Sequence, residues 1–159
     1  MTALSGFIPF RLGNLESAIE VVRRIPGISG NAAPAIQAEW EDKAIRVLDP
    51  VSLLAGKLVL AATVPQEGRQ DVNHLRILIP CIRAFLGELL QQVETDNLSA
   101  RDWLKVTNQV LRLTTGGRAR RIAREHQIRW SEVLPVAGIA QSQSAKIKRF
   151  REEQLERLL

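Results

Sequence analysis

The amino-acid sequence predicts a mainly α, α+β protein: a small N-terminal β-hairpin packed on about five helices. Three observations predict it. From Asp49 onward, apolar residues recur at helical spacing between recognisable caps. Before that point Gly6, Pro9, Gly13, Pro26, Gly27, Gly30 and Pro34 punctuate the chain, so its elements there must be short. Of the 159 residues, 45% are hydrophobic but only 4% aromatic, with no Tyr, so the core must come mainly from Leu, Ile, Val and Ala.

The chain reads as one domain, with a β-containing segment over 1–48, a helical core over 49–137 and a C-terminal helix over 145–159. Leu15 to Ile25 admits two readings. Leu15, Ala18, Ile19 and Val22 have helical spacing, whereas the β-branched cluster Ile19, Val21, Val22 and Ile25, stopped by Pro26-Gly27, favours a strand. Ala44 to Leu48 is a second β-prone run, and a hairpin from about 18 to 48 joins the two.

Asp49-Pro50 supplies an N-cap followed by Pro at the first helical position. The helix it opens carries Leu53, Leu54, Leu58 and Ala61 and ends near Pro65. A longer helix follows Gly68, with Val72, Leu75, Leu78, Ile79, Ile82, Phe85, Leu86 and Leu89 on its apolar face. Pro80 lies inside it and should bend it. Ser99-Ala100-Arg101-Asp102 resembles a capping box and opens a third helix, which Gly116-Gly117 ends. A basic helix covers about Gly117 to Gln127, and a short turn around Ser131–Leu134 precedes Pro135. Gly138 to Ser144 reads as a polar connector. The last helix carries Ile147, Phe150, Leu155 and Leu158 among many charges.

Composition bounds the function. The single cysteine, Cys81, excludes an intramolecular disulfide framework. Met1 to Asn14 has no basic stretch leading into a long apolar run, so no secretory signal is expected. Ile45 to Val64, the most apolar region, is interrupted by Arg46, Asp49, Pro50 and Lys57 and cannot span a membrane. A cytoplasmic location is therefore expected. The net charge of +5 is uneven: residues 1–100 carry 9 Lys/Arg against 11 Asp/Glu, and residues 101–159 carry 13 against 6. Such a basic rear half suits nucleic acid or an acidic partner, or simply a solvated face.

No catalytic or metal-binding constellation emerges. His74 and Cys81 share a helix but lie seven residues apart, too far for a nucleophile and its base and too few for a zinc site. They read as a surface histidine and a structural cysteine. Glu39, Glu41 and Asp42 around Trp40, and Glu152-Glu153, read as solvated charge. Gly116-Gly117 lacks the further glycines and Lys-Ser/Thr of a phosphate loop. No cofactor is implied. The best physical signal is Arg118, Arg120, Arg121, Arg124 and Arg129: the first four are spaced three or four apart and share one broad helix face. Guanidinium forks on that face suit phosphates, although no aromatics interleave to stack bases.

One stretch resembles a family. Ile45-Arg46-Val47-Leu48-Asp49-Pro50, Leu53-Leu54, Lys57-Leu58 and Gly68-Arg69-Gln70-Asp71 with Leu75 are similar to a stretch of nucleotidyltransferase-like proteins, the AbiEii/AbiGii-type abortive-infection proteins and their uncharacterised bacterial relatives. Ile19-Glu20-Val21-Val22 and Ile25-Pro26-Gly27-Ile28 resemble the strand and turn that come before it, which favours the strand reading. The resemblance covers about residues 18–90. It implies that Lys57, Arg69 and Asp71 lie near a nucleotide site, with His74 where the family often has a second acid. The family's Gly-Ser motif and metal-binding carboxylates have no counterpart between Met1 and Glu39. By resemblance the chain is thus a C-terminal part, or a degenerate relative, not active by itself, because two-metal positioning of a phosphoryl group needs those carboxylates.

The expected function is a non-catalytic module that binds nucleic acid through Arg118, Arg120, Arg121 and Arg124, in a toxin–antitoxin or phage-defence setting. The alternative is a protein–protein or homo-oligomerisation module whose last helix docks its Ile147, Phe150, Leu155 and Leu158 stripe on a partner. A third reading is residual nucleotidyl transfer by Lys57 and Asp71. No membrane partner is expected.

Overall fold

A computed structural model describes residues 4–22, 26, 35–40 and 42–155. The protein is mainly helical with a small β element at its N-terminal side. The β element comprises two antiparallel hairpins, β1 (Leu4–Leu12) with β2 (Leu15–Val22) and β3 (Ala35–Trp40) with β4 (Lys43–Leu48). The strand reading of the first ambiguous segment is correct, but its partner is not the second β-prone run. Strand β2 pairs with β1, from Leu12 opposite Leu15 to Leu4 opposite Val22. Gly13-Asn14 is a two-residue connection, and Gly13 takes the left-handed φ of +60° that a tight hairpin turn favours, so β2 folds back on its immediate neighbour.

Among the described residues six α-helices follow: α1 (Pro50–Thr63), α2 (Asp71–Glu94), α3 (Ala100–Thr115), α4 (Gly117–His126), α5 (Val136–Gln141) and α6 (Ala145–Glu153), with a 3-10 turn at Trp130–Val133. Local chemistry explains the starts. Asp49 Oδ1 accepts from the amides of Val51 and Ser52, each at 3.0 Å, with Pro50 supplying the fixed φ of the first turn. Ser99 Oγ accepts from the Asp102 amide at 3.1 Å and donates to Asp102 Oδ2 at 2.6 Å, so the acid answers the cap's hydroxyl rather than its backbone amide.

Helix α2 is the spine. Leu75, Leu78, Ile79, Ile82, Leu86, Leu90 and Val93 are buried at three- and four-residue spacing, and the helix packs against α1, α3, the 3-10 turn and α5. It continues through Pro80, which is exposed, so the carbonyl deprived of its amide donor can be hydrated. Trp103 is fully buried, donates from Nε1 to the Leu86 carbonyl at 2.9 Å and meets the Phe150 ring edge-on at 5.8 Å. Two expectations for the last third need correcting. Gly138 to Ser144 is not all connector, because α5 occupies its first part. A Cβ at Gly138 would lie 3.1 Å from Leu90 Cδ2, so the missing side chain lets α5 approach α2 and bury Ile139. Ile147, Phe150 and Leu155 are buried in the chain's own core, which removes them from any docking stripe; Leu158 lies outside the described residues. Among the described residues, no helix is long and apolar enough to cross a membrane.

Candidate functional site

The structure brings Lys57, Arg69 and Asp71 together at the junction of α1 and α2. Lys57, the eighth residue of the first helix, reaches the first residue of the second. Its Nζ lies 2.9 Å from Asp71 Oδ1, and Arg69 Nε lies 2.7 Å from Asp71 Oδ2. The Asp71 side chain is only 3% exposed, against 21% for Lys57 and 38% for Arg69. Burial pushes the Asp71 carboxyl up, but hydrogen bonds and charge from Lys57 and Arg69 outweigh it and hold the group below the ordinary carboxylate value. Both carboxylate oxygens are engaged, and the negative group sits in the first turn of α2, where the helix dipole favours it. Chemically this is a closed clamp between two helices. His74 is exposed one turn further on and joins no part of it.

The arginines of α4 behave differently. Ala119 and Ile122 anchor the helix in the core, so Arg120, Arg121 and Arg124 fall on the outward face and Arg118 on its flank. All four are exposed. Among the described residues, Arg118, Arg120 and Arg124 have no acid or carbonyl partner within hydrogen-bond or ion-pair reach. Arg121 is only partly available: one terminal nitrogen donates to the Ala62 carbonyl at 2.6 Å, and Nε lies 4.0 Å from Glu125. Arg129 pairs with Glu132 at 2.7 Å and leaves the group altogether.

Arg121 belongs to a set the sequence did not reveal. It holds a carbonyl in the last turn of α1, Arg76 donates to the His126 carbonyl at the end of α4, and Arg151 donates to the Ala140 carbonyl near the end of α5. Each guanidinium supplies a cation to the negative end of another helix and satisfies a carbonyl that lacks an intrahelical donor. Part of the basic excess therefore serves the fold. Arg112, in the last turn of α3, was also missed: it is exposed, unpaired, and lines a cleft with Arg118. Its only sequence signal is its position across the Gly116-Gly117 break from the basic helix.

The remaining candidates stay apart. Cys81 is exposed rather than structural. Glu39 and Asp42 are exposed, Glu41 lies outside the described residues, Glu153 pairs with Arg149 at 2.7 Å, and Glu152 lies 3.9 Å from Arg151. Among the described residues, no three His, Cys, Asp or Glu side chains converge as a metal cage. No family model, curated protein or solved structure matches the chain.

Proposed function

We propose that this protein is a non-catalytic helical module that binds nucleic acid through Arg118, Arg120, Arg121 and Arg124. The observation that carries the reading is the unpaired state of Arg118, Arg120 and Arg124 on a helix whose opposite side is locked into the core. Exposed guanidinium groups that no acid occupies are free to exchange water for phosphate oxygens, and a phosphate backbone supplies closely spaced anions. Helix α4, GRARRIAREH, has no Trp, Tyr or Phe, which supports contact with phosphates over stacking on bases. A duplex is therefore the favoured form.

Relationship to nucleotidyltransferase-like proteins rests on the resemblance around Lys57, Arg69 and Asp71, and a bacterial toxin–antitoxin or phage-defence role in the cytoplasm follows from it. The mutual engagement of those three side chains supports a structural duty for them in this chain. Nucleotidyl transfer by Lys57 and Asp71 would first require breaking both contacts to a buried carboxylate.

Fluorescence anisotropy with a labelled duplex across a salt series tests the nucleic-acid reading. Three to four phosphate contacts predict a log–log salt slope of about −3. No binding at low salt sinks it.

A further inference from the structure

At the break between α3 and α4, a cleft of about 270 Å³ opens beside α1. Leu58 and Val59 of α1 and Leu113 of α3 give it an apolar wall. Arg112, from the last turn of α3, and Arg118, from the first turn of α4, line the same space. Both are exposed, neither has a partner among the described residues, and no acid lines the cleft. Two guanidinium groups brought into one half-apolar space repel each other until an anion lies between them. Each offers a planar fork of donors that matches the oxygens of a phosphate. Gly117 leaves open space at this edge and no side chain caps α4, so the helix dipole adds to the field without carrying the site.

We propose that this cleft binds a phosphate monoester, with its dianion between Arg112 and Arg118 and its apolar substituent against Leu58, Val59 and Leu113. The volume suits a small ester, being just under the range of about 300–1,000 Å³ usual for drug-sized ligands. The site shares Arg118 with the nucleic-acid face but does not depend on that face, because a free ester can occupy it alone.

The test is a titration of the full chain with phenyl phosphate, inorganic phosphate and sulfate, followed by amide chemical shifts. Saturable shifts confined to residues around 112–119 are expected, with phenyl phosphate the tightest because only it uses the apolar wall. Arg112→Ala and Arg118→Ala should each weaken it at least tenfold, while Arg101→Ala, at the far end of α3 and outside the cleft, leaves it within twofold. Arg112→Lys should restore part of the loss by keeping the charge without the fork. Non-saturating shifts spread over every exposed arginine, or an equal loss in Arg101→Ala, overturn the proposal.

A 5′-phosphorylated and a 5′-hydroxyl oligonucleotide distinguish the source of the ester. Preference for the phosphorylated strand, abolished by Arg112→Ala, identifies a nucleic-acid end; equal affinity identifies a small molecule. Should duplex binding fail while phenyl phosphate still saturates the cleft, the nucleic-acid reading falls and this one stands.

Discussion

The α1–α2 junction and the outer face of α4 both gather cations, yet they use them in opposite ways. At the junction, Lys57 and Arg69 converge on one buried carboxylate whose two oxygens they fill. On α4, Arg120 and Arg124 point outward with no partner among the described residues. The difference teaches that basic residues divide by the burial of what they face. A buried acid must be matched or it costs several kcal/mol, so its cations belong to the fold. Exposed cations without an acid contribute little to stability and are free for a ligand.

The largest expected effect comes from removing the anion at the junction. Asp71→Ala leaves two partly exposed cations without their shared acid, and thermal or urea denaturation should show a loss of about 2 kcal/mol, the scale of hydrogen bonds to a charged group. For a chain of this size that lowers Tm by about 4–8 °C. An unchanged Tm would put the clamp on a par with an ordinary surface pair and erase the contrast.

Acid sharpens the same point. Asp71 binds its proton more weakly in the folded chain than in the unfolded one, because its carboxyl is held below the ordinary value of 3.8. Its contribution is therefore full above that value and is lost as pH falls through the lower folded value. The stability gap between the wild type and Asp71→Asn should narrow on acidification below about pH 4. A gap that stays constant down to acid unfolding would contradict the assignment.

On α4, the double variant Arg120→Ala/Arg124→Ala should reduce duplex affinity about tenfold at low salt and flatten the salt slope by about 2. Denaturation of the same variant should shift by no more than about 0.5 kcal/mol, since it removes no buried contact. Arg121→Ala lies between the two regions. Loss of its bond to the Ala62 carbonyl should cost about 1 kcal/mol of stability. A purely binding phenotype there would place Arg121 with its neighbours instead.

Much of the helical order was legible because it is encoded within a few residues. Asp49-Pro50 and Ser99 announce helix starts through side-chain contacts two or three positions away. The long apolar stripe of α2 survives Pro80 because the proline falls on the wet side. Helix α5 was hidden since Ala137, Gly138 and Ala140 carry almost no periodic signal, and its stability comes from packing Ile139 against distant elements. Strand β2 pairs with β1 rather than with the Ala44–Leu48 run because Gly13-Asn14 forms a tight turn between adjacent strands, and β-branched content alone does not say which run is the partner. The closeness of Lys57 and Asp71 was suggested by resemblance alone; fourteen residues of separation give no periodic clue.

By itself, then, the sequence determined the class of the fold, the caps and faces of its long helices, and the fact that a basic rear half exists. Those are local properties, set by spacing and by side chains that touch their own backbone. Only the tertiary structure decided which arginines are free. Arg120 and Arg121 are adjacent and chemically identical, but Arg121 finds the end of α1 and Arg120 does not. Charge alone cannot separate them, because the partner that consumes one is a carbonyl every residue carries, and its location depends on how helices pack.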